Sequence, residues 1–187
     1  MKKIPSVFKR DYVGTRLVFD EVVPGCEWVL AGEGAATRKF DGTACMVSGG
    51  RLFKRYDAKN GKQPPVGFVP AQDPDEKTGH WPGWVPCDRH NPADRYHFEA
   101  WDNFEEIPED GTYELCGPKI QGNPEGCESH NLVPHGFELI SEEPGLDLRS
   151  FEGLKRYLGS AGIEGIVFHH PDGRMAKIKA RDFCIKR

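Results

Sequence analysis

Ile163-Glu164-Gly165-Ile166-Val167-Phe168-His169-His170-Pro171-Asp172-Gly173-Arg174-Met175-Ala176-Lys177-Ile178-Lys179 is the stretch on which the fold turns. Its first seven residues read as a strand, with Ile166-Val167-Phe168 a β-branched and aromatic run, and Pro171-Asp172-Gly173 supplies turn chemistry. Met175–Lys179 then alternates in polarity, as a returning strand does. Lys177 and Lys179 are two apart, so both side chains leave one face of the sheet. A four-residue turn, His170–Gly173, would set Glu164 opposite Lys179 and Ile166 opposite Lys177. A slip of one residue would undo that pairing.

Working outward, Thr43–Ser48 and Arg51–Tyr56 read as a second hairpin across Gly49-Gly50, a two-residue turn that accepts positive φ. Gly111–Cys116 reads as a strand, and Leu132–Ile140 as a strand region interrupted by Pro134 and Gly136. Ser150 suits the N-cap of a short helix that buries Phe151, Leu154 and Leu158 and stops at Gly159 or Gly162. Pro92–Phe104 reads as a further helix. Asp57–Pro92 is dense in Pro and Gly, with Trp81 and Trp84, and is expected to be a long ordered loop. Antiparallel strands with few helices define an α+β fold.

The chain has 187 residues, 25 Lys+Arg against 29 Asp+Glu, and 37% hydrophobic residues. Its length suits one domain, residues 1–187, with a core large enough to stand without disulfides. No apolar run approaches the roughly 18 residues of a membrane span. The basic start, Met1 to Arg10, lacks the apolar segment of a secretory signal. A cytoplasmic protein without membrane partners is expected. Bulk charge gives no footprint for duplex DNA, so any nucleic-acid contact must be local. Cys87-Asp88-Arg89-His90 and Cys127-Glu128-Ser129-His130 are two Cys-x-x-His pairs that offer four tetrahedral zinc ligands, against the plainer reading of ordinary thiols and surface histidines.

Four places carry reactive groups. Thr37-Arg38-Lys39-Phe40-Asp41-Gly42 holds a lysine at the entrance to a hairpin, a nucleophile if its amine is neutral. Gly32-Glu33-Gly34 lacks the Walker spacing. Arg55, at the end of the Thr43–Tyr56 hairpin, can donate to a ribose or phosphate. Glu114 is a carboxylate in an apolar strand, costly to bury without a donor or metal. Glu164, Lys177 and Lys179 together suit a metal-bound polyphosphate. Each also has a plain reading as solvated surface.

The order of these elements resembles the covalent nucleotidyltransferases, the superfamily of ATP-dependent ligases and capping enzymes. Within it, the chain is most similar to the vertebrate-type 5′-to-3′ RNA ligase family. The likeness rests on Lys39–Thr43, Gly79-His80-Trp81-Pro82-Gly83-Trp84-Val85-Pro86, Gly122-Asn123-Pro124-Glu125-Gly126, Leu132–Gly136 and Ile163–His169. It implies an ATP-grasp-like ligase adenylation domain with antiparallel sheets and flanking helices. It also implies an activity: AMP from ATP is held on Lys39, passed to an RNA 5′-phosphate, and displaced by a 3′-hydroxyl. Lys177 and Lys179 would bind phosphate, with Lys179 the less secure match. Glu164 would hold magnesium, or manganese in its place, and Glu114 the ribose or a metal-bound water. Arg55 would reach the ribose or the 5′-phosphate, and Thr37, with neighbouring Arg38, would line the nucleotide. Phe137, with His135 as rival, would stack on adenine. Only eight residues follow Lys179, so an appended OB-fold is not expected. RNA ends would then meet Arg51, Lys54, Lys59, Lys62, Arg181, Lys186 and Arg187, with Trp81 or Trp84 stacking on bases. Two other outcomes stay open: AMP transfer from Lys39 to a non-RNA acceptor, and an idle RNA-end-binding module.

Overall fold

A computed structural model describes residues 2–59, 61–76, 78–141 and 145–186. In chain order the strands are β1 (Phe8–Arg10), β2 (Val18–Val22), β3 (Ala35–Lys39), β4 (Thr43–Ser48), β5 (Arg51–Ala58) and β6 (Val69–Pro70). They continue with β7 (Trp81–Pro86), β8 (Gly111–Cys116), β9 (Asn131–Pro134), β10 (Gly165–His169) and β11 (Met175–Lys179). The helices are α1 (Glu27–Leu30), α2 (Arg95–Trp101) and α3 (Phe151–Ala161), with single 3₁₀ turns at Pro92–Asp94 and Ala180–Phe183. The α+β class and the antiparallel sheets agree with the sequence-based expectation. No helix among the described residues is long and apolar enough to cross a membrane.

The chain divides into two compact units, Met1–Lys3 with Asp41–His135, and Ile4–Phe40 with Gly136–Arg187. The first is built on an antiparallel sheet of order β6-β7-β5-β4-β8-β9. Cys45, Val47, Leu52, Tyr113, Leu115 and Leu132 from its strands pack with Ala100 of α2 as one apolar cluster. The second holds the β1-β2 ribbon and the sheet β11-β10-β3. Ala36, Ile166, Phe168, Ala176 and Ile178 occupy one face of that sheet and are buried with Leu154 and Leu158 of α3. Alternation along each strand therefore turns Thr37, Lys39, Val167, Lys177 and Lys179 to the opposite face.

Local chemistry explains most of these elements. Ser150 Oγ accepts the Gly153 N–H at 3.1 Å and so caps α3. Gly162, at φ 65°, ends the helix in the left-handed conformation that glycine adopts at least cost.

Four expectations need correction. Asp57–Pro92 is not one continuous loop, because Trp81–Pro86 pairs along the whole of Phe53–Ala58. Pro82 and Pro86 disguise this strand, since proline normally argues against a sheet position. The helix expected over Pro92–Phe104 is a 3₁₀ turn followed by the shorter α2, and the strand expected over Leu132–Ile140 is instead Asn131–Pro134, stopping at the proline. The C-terminal hairpin is also shifted by one residue: Gly165 faces Lys179, Ile166 faces Ile178 and Val167 faces Lys177. The connection is five residues, not four. The His170 N–H donates to the Arg174 carbonyl at 2.9 Å, and the Gly173 N–H to the His170 carbonyl at 2.9 Å. Gly173 stands at φ 90°. This extra residue sets Gly165, rather than Glu164, across from Lys179.

Candidate active site

In the second unit, β10 lies between β11 and β3, so Gly165 is flanked by Lys179 on one side and Lys39 on the other. A Cβ at Gly165 would come within 2.3 Å of the Ile178 carbonyl oxygen, so only glycine fits that row. Glu164, the residue before β10, sends its carboxylate to both lysines. Lys39 Nζ donates to Oε2 at 2.5 Å and Lys179 Nζ donates to Oε1 at 2.5 Å. Lys39 Nζ also donates to the Phe40 carbonyl at 3.1 Å. Burial works to raise the Glu164 pKa, but the charges and hydrogen bonds of Lys39 and Lys179 outweigh it and hold the carboxyl below its ordinary value.

Lys177 projects from the same face with no ion pair among the described residues. Burial, then repulsion from Lys179 and Lys39, depresses its pKa from 10.5 to about 8. Two lysines thus share one carboxylate with a third beside them, which leaves a surplus of positive charge suited to a polyanion. A half-buried ammonium carries a stability cost, so Lys177→Met is expected to raise the melting temperature near neutral pH. Between about 8 and 10.5 the folded chain binds fewer protons at this lysine than the unfolded chain does. Stability of the parent therefore rises with pH across that window. The advantage of the variant should shrink there, which melting curves of both proteins over the same pH series would test.

The other assigned residues of this unit are placed differently. Thr37 is 2% exposed. Its hydroxyl donates to the Val167 carbonyl at 3.1 Å and lies 3.0 Å from His169 Nε2, so it is engaged inside the sheet. Arg38, one residue from Lys39, is on the opposite sheet face, stacked over Phe40 at 4.5 Å and paired with Glu138 at 3.3 Å. The outer edge of β3 is bonded to the segment after Gly136: the Arg38 N–H donates to the Glu138 carbonyl and the Ile140 N–H to that of Ala36. Phe137 heads this segment with 74% of its surface exposed.

In the first unit Glu114 is buried, with Oε1 accepting the Gly42 N–H at 3.1 Å and Oε2 lying 2.8 Å from His135 Nε2. His135 Nδ1 is 2.9 Å from the Thr112 hydroxyl. The carboxylate thus has a partner for each oxygen, as its burial requires. His135 is committed to holding Glu114, whereas Phe137 remains open.

Glu125, from the Gly122–Gly126 block, accepts the Asp41 N–H at 3.0 Å. Two carboxylates therefore fasten successive backbone amides immediately after Phe40. A Cβ at Gly42 would sit 2.2 Å from the Leu115 carbonyl oxygen, so the same turn demands glycine. The role of Glu125 is not readable from spacing, since 84 residues separate it from Asp41. Its place in a family block is the one signal that singles it out.

Arg55 faces Trp84 across β5 and β7 and lays its guanidinium over the indole at 4.8 Å. Trp84 is 1% exposed and is not available to stack on a base, whereas Trp81 is only partly buried. Lys54 pairs with buried Asp94, unlike Arg51, Lys59, Lys62, Arg181 and Lys186, which are exposed. Arg187 lies outside the described residues. The two Cys-x-x-His pairs do not converge. His90 is exposed, and His130 stacks on Tyr96 at 4.5 Å with Nδ1 2.8 Å from Glu99.

These features define an α+β protein with a lysine-rich anion site around one buried glutamate. A family model described as RNA ligase 1 matches residues 103–186. The chain is 31% identical over 215 residues to RNA ligase 1 of Pongo abelii, covering 76% of this chain and 65% of that protein. It is 30% identical to RNA ligase 1 of Rattus norvegicus over the same shares, and 27% identical to that of Danio rerio over 99% of this chain and 81% of the relative. The chain is thus similar to RNA ligase 1 proteins, and it spans 65% of the length of the Pongo abelii and Rattus norvegicus relatives it matches.

Proposed function

We propose that this chain is an ATP-dependent RNA ligase with a nucleotidyltransferase architecture, and that Lys39 is its nucleophile. The observation that carries this reading is the Glu164 carboxylate shared by Lys39 and Lys179 with Lys177 beside them. In the first step the neutral amine of Lys39 forms an N–P bond to the α-phosphorus of ATP. The bond to the bridging oxygen breaks, and pyrophosphate and the amine proton are released. AMP then passes to the 5′-phosphate of an RNA end, freeing the lysine, and a 3′-hydroxyl displaces AMP to seal the strand. Lys177 and Lys179 stabilise charge that builds on the α-phosphate.

Glu114, held by His135 and the Gly42 amide, is assigned to the ribose, as is Arg55, whose stacking on Trp84 limits its motion. Phe137 is assigned to the adenine because it is exposed, with the backbone around Thr37 and Arg38 beside it in the sheet. Glu164 and Glu114 are each all-oxygen donors of the kind magnesium or manganese takes, and each is assigned to hold such an ion. That ion supplies neutralisation of phosphate charge. Exposed Arg51, Lys59, Lys62, Arg181 and Lys186 are assigned to the RNA backbone.

The test is to incubate the chain with α-labelled ATP and magnesium, isolate the protein, and add 5′-phosphorylated RNA with a 3′-hydroxyl. Label on the protein, its movement to the RNA 5′ end and a sealed product are expected. Protein that never becomes labelled overturns the nucleophile assignment. Label that forms but reaches only other acceptors overturns RNA as the substrate.

A further inference from the structure

A second cluster of chemically capable side chains lies in the first unit, and the proposed ligation uses none of them. Cys87 follows β7 and is tied in place by its N–H, which donates to the Leu52 carbonyl at 2.9 Å. Asp94 closes the 3₁₀ turn, and His97 follows three residues later in the first turn of α2. That spacing sends both side chains from one face of the helical segment. The Cys87 sulfur, a carboxylate oxygen of Asp94 and a ring nitrogen of His97 all lie within 4.8 Å of one another.

His97 is the informative member. It is 9% exposed, and neither Nδ1 nor Nε2 has a hydrogen-bond partner. A buried imidazole holds one N–H donor and one lone pair, and leaving both unmet is costly enough to call for a missing partner. Asp94, 1% exposed, is better supplied: Oδ1 binds the Lys54 ammonium and Oδ2 accepts the Asp88 N–H at 3.0 Å. An ionised carboxylate offers about four lone-pair sites, so these two partners leave room for a third.

We propose that Cys87, Asp94 and His97 form a zinc site, with water in the fourth position. Sulfur, imidazole nitrogen and one carboxylate oxygen are the donors zinc takes in tetrahedral sites, whereas magnesium does not select sulfur. Ordinary zinc–ligand bond lengths need donor separations of about 3.5 Å, so the three side chains must draw together by side-chain rotation. Burial lowers the His97 pKa and keeps the ring neutral, the form that ligates. The Cys87 thiol, raised to about 12 by burial and by Asp94, must give its proton to solvent as the S–Zn bond forms. The thiolate and carboxylate then balance the metal charge, and Lys54 keeps its bond to Asp94. The ion would pin the end of β7 to the start of α2 and so brace the helix that covers Leu115 and Leu132. It does not restore the Cys-x-x-His pairing, since Cys87 ligates here with His97 instead of His90.

The experiment uses the full chain, stripped with chelator, reloaded with zinc or cobalt(II) alone, and desalted. About one equivalent of bound zinc is expected, with a tetrahedral cobalt spectrum that includes a thiolate charge-transfer band. Cys87→Ser should remove that band, and His97→Gln should weaken zinc binding by about tenfold or more. His90→Ala and Cys127→Ser should leave both signals intact. Circular dichroism checks that each variant is folded. A parent chain that retains no zinc after loading overturns the site, and this outcome needs no variant to fold. Signals lost in His90→Ala or Cys127→Ser but kept in Cys87→Ser overturn the assignment equally.

Discussion

Lys39→Ala is expected to lose covalent labelling by α-labelled ATP altogether, a fall of roughly 10³-fold or more in the rate of adenylylation. The AMP that activates the RNA end comes from this amine, so sealing with free ATP should fall with it. Lys39→Arg separates charge from nucleophilicity. Arginine can still pair with Glu164, but its guanidinium does not deprotonate in proteins and cannot form the same phosphoramidate. Both variants should therefore be unlabelled, and only the alanine variant should also lose an ion pair. A chemically pre-adenylylated RNA offers the decisive control. It bypasses the first step, so residual sealing of that substrate by either variant would place the defect at nucleotide attack. Labelling of Lys39→Ala at the parent rate would remove the nucleophile assignment.

Glu164→Gln is expected to damage both stability and chemistry. Its side chain is 10% exposed, and those of Lys39 and Lys179 are 19% and 15% exposed. Replacing the carboxylate leaves the Lys39 and Lys179 ammoniums without their shared partner, beside the half-buried Lys177. Breaking a buried pair from one side typically costs about 3 kcal/mol. Adenylylation should fall by about 10²–10³-fold, the usual scale for losing one electrostatic group at a charge-developing site.

The pH dependence has a defined sign. The folded pKa of Glu164 lies below its unfolded value of 4.5, so its stabilisation is complete above that value. It is lost as pH falls through the lowered folded pKa. Denaturation curves of parent and variant should therefore be well separated at neutral pH and converge in acid. A separation that persists unchanged into acid would show that the ion pairs are not its source.

The fate of individual elements shows what local sequence can carry. Thr43–Ser48, Gly111–Cys116 and Met175–Lys179 are strands at the bounds that alternation and turn residues indicate, and α3 runs from its Ser150 cap to Gly162. Each is specified by residues that lie within it or touch its ends. Trp81–Pro86 is hidden because its partners, not its own composition, make it a strand, and two prolines argue locally against it. The Ala35–Lys39 strand is likewise held from outside, by β10 on one side and the segment after Gly136 on the other.

The candidate site divides along the same line. By itself the sequence determined the α+β class, the chemically capable residues Lys39, Glu114, Glu164, Lys177 and Lys179, and the family resemblance, because residue type, period-two alternation and motif order are local properties. Only the tertiary structure decided that Glu164 bridges Lys39 and Lys179, that Lys177 is half-buried beside them, that His135 and the Gly42 amide hold Glu114, and that His97 is left without a partner. Those outcomes depend on strand register and on distances between residues far apart in the chain. One extra residue in the His170–Arg174 connection moved Gly165, not Glu164, opposite Lys179, and no local pattern records that count.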